Sequence, residues 1–136
     1  MGGTYVLVLE LDRSATIEVG ALGAIEFDAC RYAYVGSAFG TGGFSRIDRH
    51  RDLAAGDREV YHWHVDSLLC HPATEIVGVG RFPGENIECE LARTLPGTVV
   101  PDFGASDCEC DGHLLAGNET SLRDAIAERA KVFETL

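Results

Sequence analysis

The order of strand-like and helix-like segments is what most limits the fold of this chain. Residues 5–11 are β-branched and aromatic and read as a strand. Residues 15–19 and 24–27 are two shorter strands, and Gly20 and Gly23 between them suit a hairpin. Residues 31–36 form another strand, followed by a glycine-rich turn over residues 36–43. A helix then starts near Gly43 and carries Phe44, Ile47 and Arg51. Residues 61–71 read as a second helix, which Pro72 ends. Residues 74–82 are a strand, and Asn86 caps a helix that runs to Leu95, with Glu88 and Glu90 in its first turns. Residues 111–115 form a last short strand. Asn118 or Thr120 caps a final helix in which Leu122, Ile126, Ala130 and Phe133 make one stripe.

Strands and helices are thus mixed without regular alternation. That argues for an α+β fold with a small, mostly antiparallel sheet flanked by helices. At 136 residues the chain fits one domain, 1–136, with residues 118–136 as a C-terminal helix. Its hydrophobic share of 46% supplies a normal globular core. No apolar run is long enough to span a bilayer, so a membrane partner is not expected. The N-terminus lacks a basic region and a signal core, which points to the cytoplasm. The five cysteines are odd in number, so a secreted disulfide framework is not expected. Cys30, Cys70 and Cys89 lie in apolar surroundings and read as small core residues.

Charge narrows the setting. The chain has 22 acidic and 11 basic side chains, net −11, and Lys131 is its one lysine. Many acids with almost no lysine suit a halophilic protein, whose self-repulsion concentrated salt screens. The charge is uneven. Residues 31–64 hold Arg31, Arg46, Arg49, Arg51 and Arg58 against Asp48, Asp52, Asp57 and Glu59, a net +1. A locally basic segment on an acidic chain is where a phosphate is tolerated. A solvated helix face with internal ion pairs is the alternative reading of the same residues.

The glycine-rich turn matches neither G-x-x-x-x-G-K-[ST] nor G-x-G-x-x-G, so those nucleotide cradles are not supported. Its neighbours carry more. Gly3-Thr4-Tyr5 opens the first strand, and Tyr34-Val35-Gly36 closes a later one. Arg46 follows, and His50 stands four residues on, on the same helical face. Separately, Cys108, Cys110 and His113, with Cys89, are the start of a zinc set, although the spacing is not that of a standard finger.

These residues resemble the GIY-YIG nuclease superfamily. Gly3-Thr4-Tyr5 and Tyr34-Val35-Gly36 stand where its two triplets would, and Arg46 and His50 match its Arg-x-x-x-His helix. More closely, the chain looks like the archaeal branch called domain of unknown function 123. The segments carrying that likeness are residues 3–9, 32–38, 62–66, 88–92, and 103–108 through 113–114. In some relatives the domain is similar to one attached to an endonuclease III-type repair glycosylase. Tyr5 and Tyr34 are 29 positions apart, so the strands between Asp12 and Cys30 would sit inside the hairpin that usually joins the triplets.

The resemblance implies a Mg²⁺-dependent nuclease acting on nucleic acid, with DNA ahead of RNA and a link to DNA repair. A phosphodiester needs an activated water, charge neutralisation and a stabilised leaving group. By the resemblance Tyr5 would act as base, Tyr34 would orient the water or share that role, Arg46 would bind the non-bridging oxygens and His50 would relay a proton or donate to the phosphate. Glu88 would hold the metal, with Glu90 as the alternative. The asparagine that active members carry near their C-terminal strand has no clear counterpart, Asn118 being a poor one. That departure and the acidic surface motivate a second reading, a catalytically inactive module of the same fold that binds nucleic acid or protein.

Overall fold

The first strand has no face for water. In the computed structural model β1 (Gly3–Leu11) is buried from Gly3 to Leu9, on both sides of the pleat. A strand of this kind must lie inside a sheet covered on both faces. The structure describes residues 2–19, 23–38, 43–54, 64–100, 113–117 and 119–135. After β1 come β2 (Ala15–Glu18), β3 (Ala24–Phe27), β4 (Arg31–Ser37), α1 (Ser45–Ala54), α2 (His64–Leu69) and β5 (Thr74–Pro83). Then follow α3 (Glu88–Thr94), β6 (Thr98–Val99), β7 (Leu114–Gly117), α4 (Glu119–Arg129) and β8 (Val132–Thr135). Six strands form one sheet in the order β6-β7-β4-β1-β5-β8. Every neighbouring pair in it is antiparallel. β2 and β3 form a separate antiparallel hairpin inserted between β1 and β4. The fold is α+β, as the mixed order of segments requires.

Alternation along β1 builds two cores. Tyr5, Leu7 and Leu9, with Tyr32 and Tyr34 of β4, face Ile47 of α1 and Val65, Leu68 and Leu69 of α2. Ile17, Val19 and Phe27 of the inserted hairpin region join this layer. Val6 and Val8, with Ala33 and Val35, face Leu91 of α3 and Leu122 and Ile126 of α4. Each buried aliphatic side chain contributes about 1.5–3 kcal/mol, so the two layers hold the central strands from both sides. The α4 layer comes in close because β5 has Gly80 there. A Cβ on Gly80 would stand 2.7 Å from Ile126 Cγ2, nearer than carbon atoms approach.

Several element ends differ from the sequence reading. α1 starts at Ser45, two residues beyond Gly43, whose φ of +53° turns the chain into the helix. α2 covers only residues 64–69 of the expected 61–71, and residues 61–63 lie outside the described set. Asn86 does not cap α3. The cap position is Ile87, which makes no side-chain cap hydrogen bond. Instead the buried Thr4 hydroxyl donates to Glu85 O at 2.7 Å and accepts from Ile87 N at 3.2 Å, tying the start of α3 to the start of β1. The strand expected at 111–115 is β7, Leu114–Gly117.

The C-terminal helix is shorter than residues 118–136. It ends at Arg129, and Val132–Thr135 pair with β5 as the edge strand β8. Val132, Phe133 and Thr135 favour extended backbone, and the open edge of β5 gives their ladder partners. The stripe survives the change of element: Leu122, Ile126, Ala130 and Phe133 all pack in the same core. Among the described residues no helix is long and apolar enough to cross a membrane.

Tyr32 supplies a pH test of this core. Its hydroxyl donates to Asp28 O at 2.9 Å. Burial raises the phenol well above its ordinary value of 10, and Cys30 adds to the rise. A raised folded-state value means that its stabilising contribution is intact below pH 10 and is lost as pH rises toward the folded value. Urea unfolding of the wild type and Tyr32→Phe at about pH 8 and about pH 11 is expected to show the wild type losing more stability than the variant. Parallel losses in the two proteins would refute this.

Candidate functional site

Tyr5 is seated by a glycine. On the register of β1 and β4 it lies opposite Gly36. A Cβ on Gly36 would stand 2.4 Å from Tyr5 Cζ. The glycine of Tyr34-Val35-Gly36 is thus a flat seat for the Tyr5 ring, and a backbone turn is not its reason. On the other side of Tyr5, the β5 partner is Arg81.

The seated phenol meets α1. Tyr5 Oη and His50 Nε2 are 2.7 Å apart in a buried hydrogen bond whose direction depends on the imidazole tautomer. The Tyr5 and His50 ring centroids are 5.6 Å apart, and Tyr34 stands edge-on to the same imidazole at 6.0 Å. His50 is fully buried and Tyr5 nearly so. Ile47 and His50 share the inward face of α1 because three residues make nearly one turn. Arg46 sits on α1 one turn before His50, and its side chain is outside the described set.

A buried carboxylate lies behind His50. Asp66, in the first turn of α2, is fully buried, and its Oδ1 is 3.9 Å from His50 Nδ1. Arg49 grips both carboxylate oxygens, Nη1 to Oδ1 at 3.1 Å and Nη2 to Oδ2 at 2.9 Å. Such a fork is planar, charge-assisted and geometrically demanding. It gives the buried carboxylate a charged partner in the interior. Arg49 and Asp66 escaped the site reading of the sequence. The available signal was an aspartate in a short segment whose neighbours Val65, Leu68 and Leu69 are apolar.

The ion pairs also change the reading of the basic window. Arg49 is satisfied by Asp66, and Arg31 pairs with Glu10 at 3.1 Å. Both partners lie outside residues 31–64. Part of the local positive charge is therefore neutralised inside the fold, and Arg51 of the same window is exposed.

The remaining candidates gather at the same end of the sheet but on its other face. Glu88 opens α3, which packs with Val6 and Val35. Its Oε2 is 3.8 Å from His113 Nδ1, just before β7. Burial lowers the His113 pKa below its ordinary 6.5. Glu90 is exposed. The structure thus joins Tyr5, Tyr34 and His50 in one cluster and Glu88 with His113 in another. Thr4, adjacent to Tyr5, links the two through its hydrogen bonds to Glu85 and Ile87.

For zinc, Cys108 and Cys110 lie outside the described residues, as does the side chain of Cys89. Among the described residues no group of three or more His, Cys, Asp and Glu side chains is arranged to hold a metal. Mg²⁺ asks less of the protein, one or two carboxylates with waters completing the shell. The Glu88 side chain is 25% exposed, a carboxylate that water and a hydrated cation can reach. That donor chemistry fits Mg²⁺.

A family model described as "Domain of unknown function DUF123" matches residues 4–135. No curated protein and no solved structure matches the chain.

The Arg49–Asp66 pair gives a stability test. Arg49→Ala leaves a buried carboxylate without its fork and is expected to cost about 3–5 kcal/mol. Replacing both partners with apolar residues, Arg49→Met with Asp66→Leu, is expected to restore most of that loss. Chemical denaturation of the two variants checks both statements, and an Arg49→Ala protein as stable as wild type would contradict them.

Proposed function

The chain belongs to the DUF123 family, and from the chemistry of its site we propose that it hydrolyses nucleic-acid phosphodiester bonds with Mg²⁺, as a GIY-YIG-type nuclease with DNA as the favoured substrate. The observation that carries this reading is the 2.7 Å contact between Tyr5 Oη and His50 Nε2, with Tyr34 against the same imidazole. A phenol is a poor base at neutral pH, because its proton leaves near pH 10. An imidazole within hydrogen-bond reach removes that obstacle.

In this reading Tyr5 passes its phenolic proton to His50 Nε2 and takes another from the attacking water. Tyr34 orients that water. Arg46, near the N-terminus of α1, presents its fork to the non-bridging oxygens, where negative charge grows in the transition state. Glu88 would hold Mg²⁺, which supplies Lewis-acid stabilisation of phosphate charge when bound. The shared end of the sheet supports the combination, since Thr4 couples the start of α3 to the strand that carries Tyr5.

One observation favours a second reading. Tyr5 is 2% exposed and His50 is 0% exposed, a degree of burial that also suits a purely structural pair in a module that binds nucleic acid or protein without turnover.

The decisive assay is DNA cleavage with Mg²⁺ in KCl of about 1 M, where surface repulsion is screened over about 3 Å. Wild type is expected to cleave, and Arg46→Ala and Glu88→Ala are each expected to lose about 10²–10³-fold in rate. Equal cleavage by all three removes the site assignment. DNA binding without turnover, unchanged by chelation of Mg²⁺, selects the binding module.

A further inference from the structure

Asp66 has no part in the proton path just described, yet among the described residues it is a buried charged group beside His50. We infer that Asp66 is a positioning residue that sets the direction of the Tyr5–His50 hydrogen bond. The inference rests on the proposed base role of Tyr5.

A neutral imidazole carries one proton, on Nδ1 or on Nε2. With the proton on Nε2, His50 would donate to Tyr5, and the phenol could not hand its own proton over. With the proton on Nδ1, Nε2 is an acceptor and Tyr5 donates. The choice is set by what faces Nδ1. Here Oδ1 of Asp66 stands 3.9 Å from Nδ1, beyond hydrogen-bond reach, so the carboxylate acts on that nitrogen through its charge. The carboxylate is held by the two Arg49 hydrogen bonds, so it cannot swing away. The Arg49–Asp66 pair is neutral as a whole, but it is the negative end that stands near His50 Nδ1. That end favours a proton on Nδ1 and stabilises the imidazolium formed when the Tyr5 O–H bond breaks and an Nε2–H bond forms.

Sequence position makes the arrangement economical. Arg49 and His50 are consecutive on α1 and diverge around the helix, and one carboxylate from α2 reaches both. Asp66 thereby links the orientation of α2 to the protonation of a group on α1.

The test is the ¹⁵N spectrum of His50 in the uniformly labelled full chain, because protonated and bare ring nitrogens have separate shifts. Wild type is expected to carry the proton on Nδ1. Asp66→Asn is expected to move the population toward Nε2–H. A wild-type His50 protonated on Nε2 overturns the inference, and that result does not depend on the variant folding. In cleavage assays Asp66→Asn is expected to lower kcat at least tenfold with little change in KM. In a His50→Gln background it is expected to add no further loss, since its effect passes through His50. If wild type cleaves while His50 is Nε2–H, the inference fails and the nuclease reading stands. If wild type does not cleave but His50 responds to Asp66→Asn, the nuclease reading fails and the positioning role is supported.

Discussion

Burial of β1 on both faces is the constraint from which the rest of the molecule follows. Gly3 through Leu9 have no solvent side, so the strand must be central, must pair on both edges and must be covered above and below. Its odd residues then face α1, α2 and the inserted hairpin, and its even residues face α3 and α4. Tyr5 is on the first of these faces because of its place in the alternation. Thr4 is on the second for the same reason, and there its hydroxyl anchors α3. One pleat thus places the phenol and the helix that carries Glu88 on opposite sides of the same sheet end.

Within that frame the polar interior forms a line rather than a scatter. Arg49, Asp66, His50 and Tyr5 follow one another from α1 to α2, back to α1 and on to β1. Buried charge is costly unless it is paired and hydrogen-bonded, and the bidentate Arg49 fork meets that condition for Asp66. The line ends at a phenol seated on Gly36, whose missing Cβ leaves the space for the ring. The arrangement couples two helices and the central strand through four side chains, and a change in any one alters the surroundings of the others.

The charge of the chain takes on a different meaning beside this interior. Net −11 belongs to the whole sequence, and the basic excess of residues 31–64 is a count along the chain. In space Arg31 and Arg49 turn to acids outside that window. A local count of charge describes a phosphate site only if the counted groups face the same solvent, and these two do not.

The sequence by itself determined most of the element order. It placed the strands at 5–11, 15–19, 24–27, 31–36 and 74–82 to within a residue or two, and the hairpin between Asp12 and Cys30, because β-branched composition, alternation and turn residues act over a few positions. It also singled out Tyr5, Tyr34 and His50, which the fold assembles into one cluster. Tertiary structure alone decided three other matters. Val132–Thr135 became a strand, although the apolar stripe ran on from the helix, because β5 offered an open edge. Thr4, far away in sequence, took the role expected of Asn86 at the start of α3. Asp66 became the partner of Arg49 and the neighbour of His50 across 17 and 16 positions. Pairing at that range is set by how helices pack on a sheet, and no periodicity within a single segment encodes it.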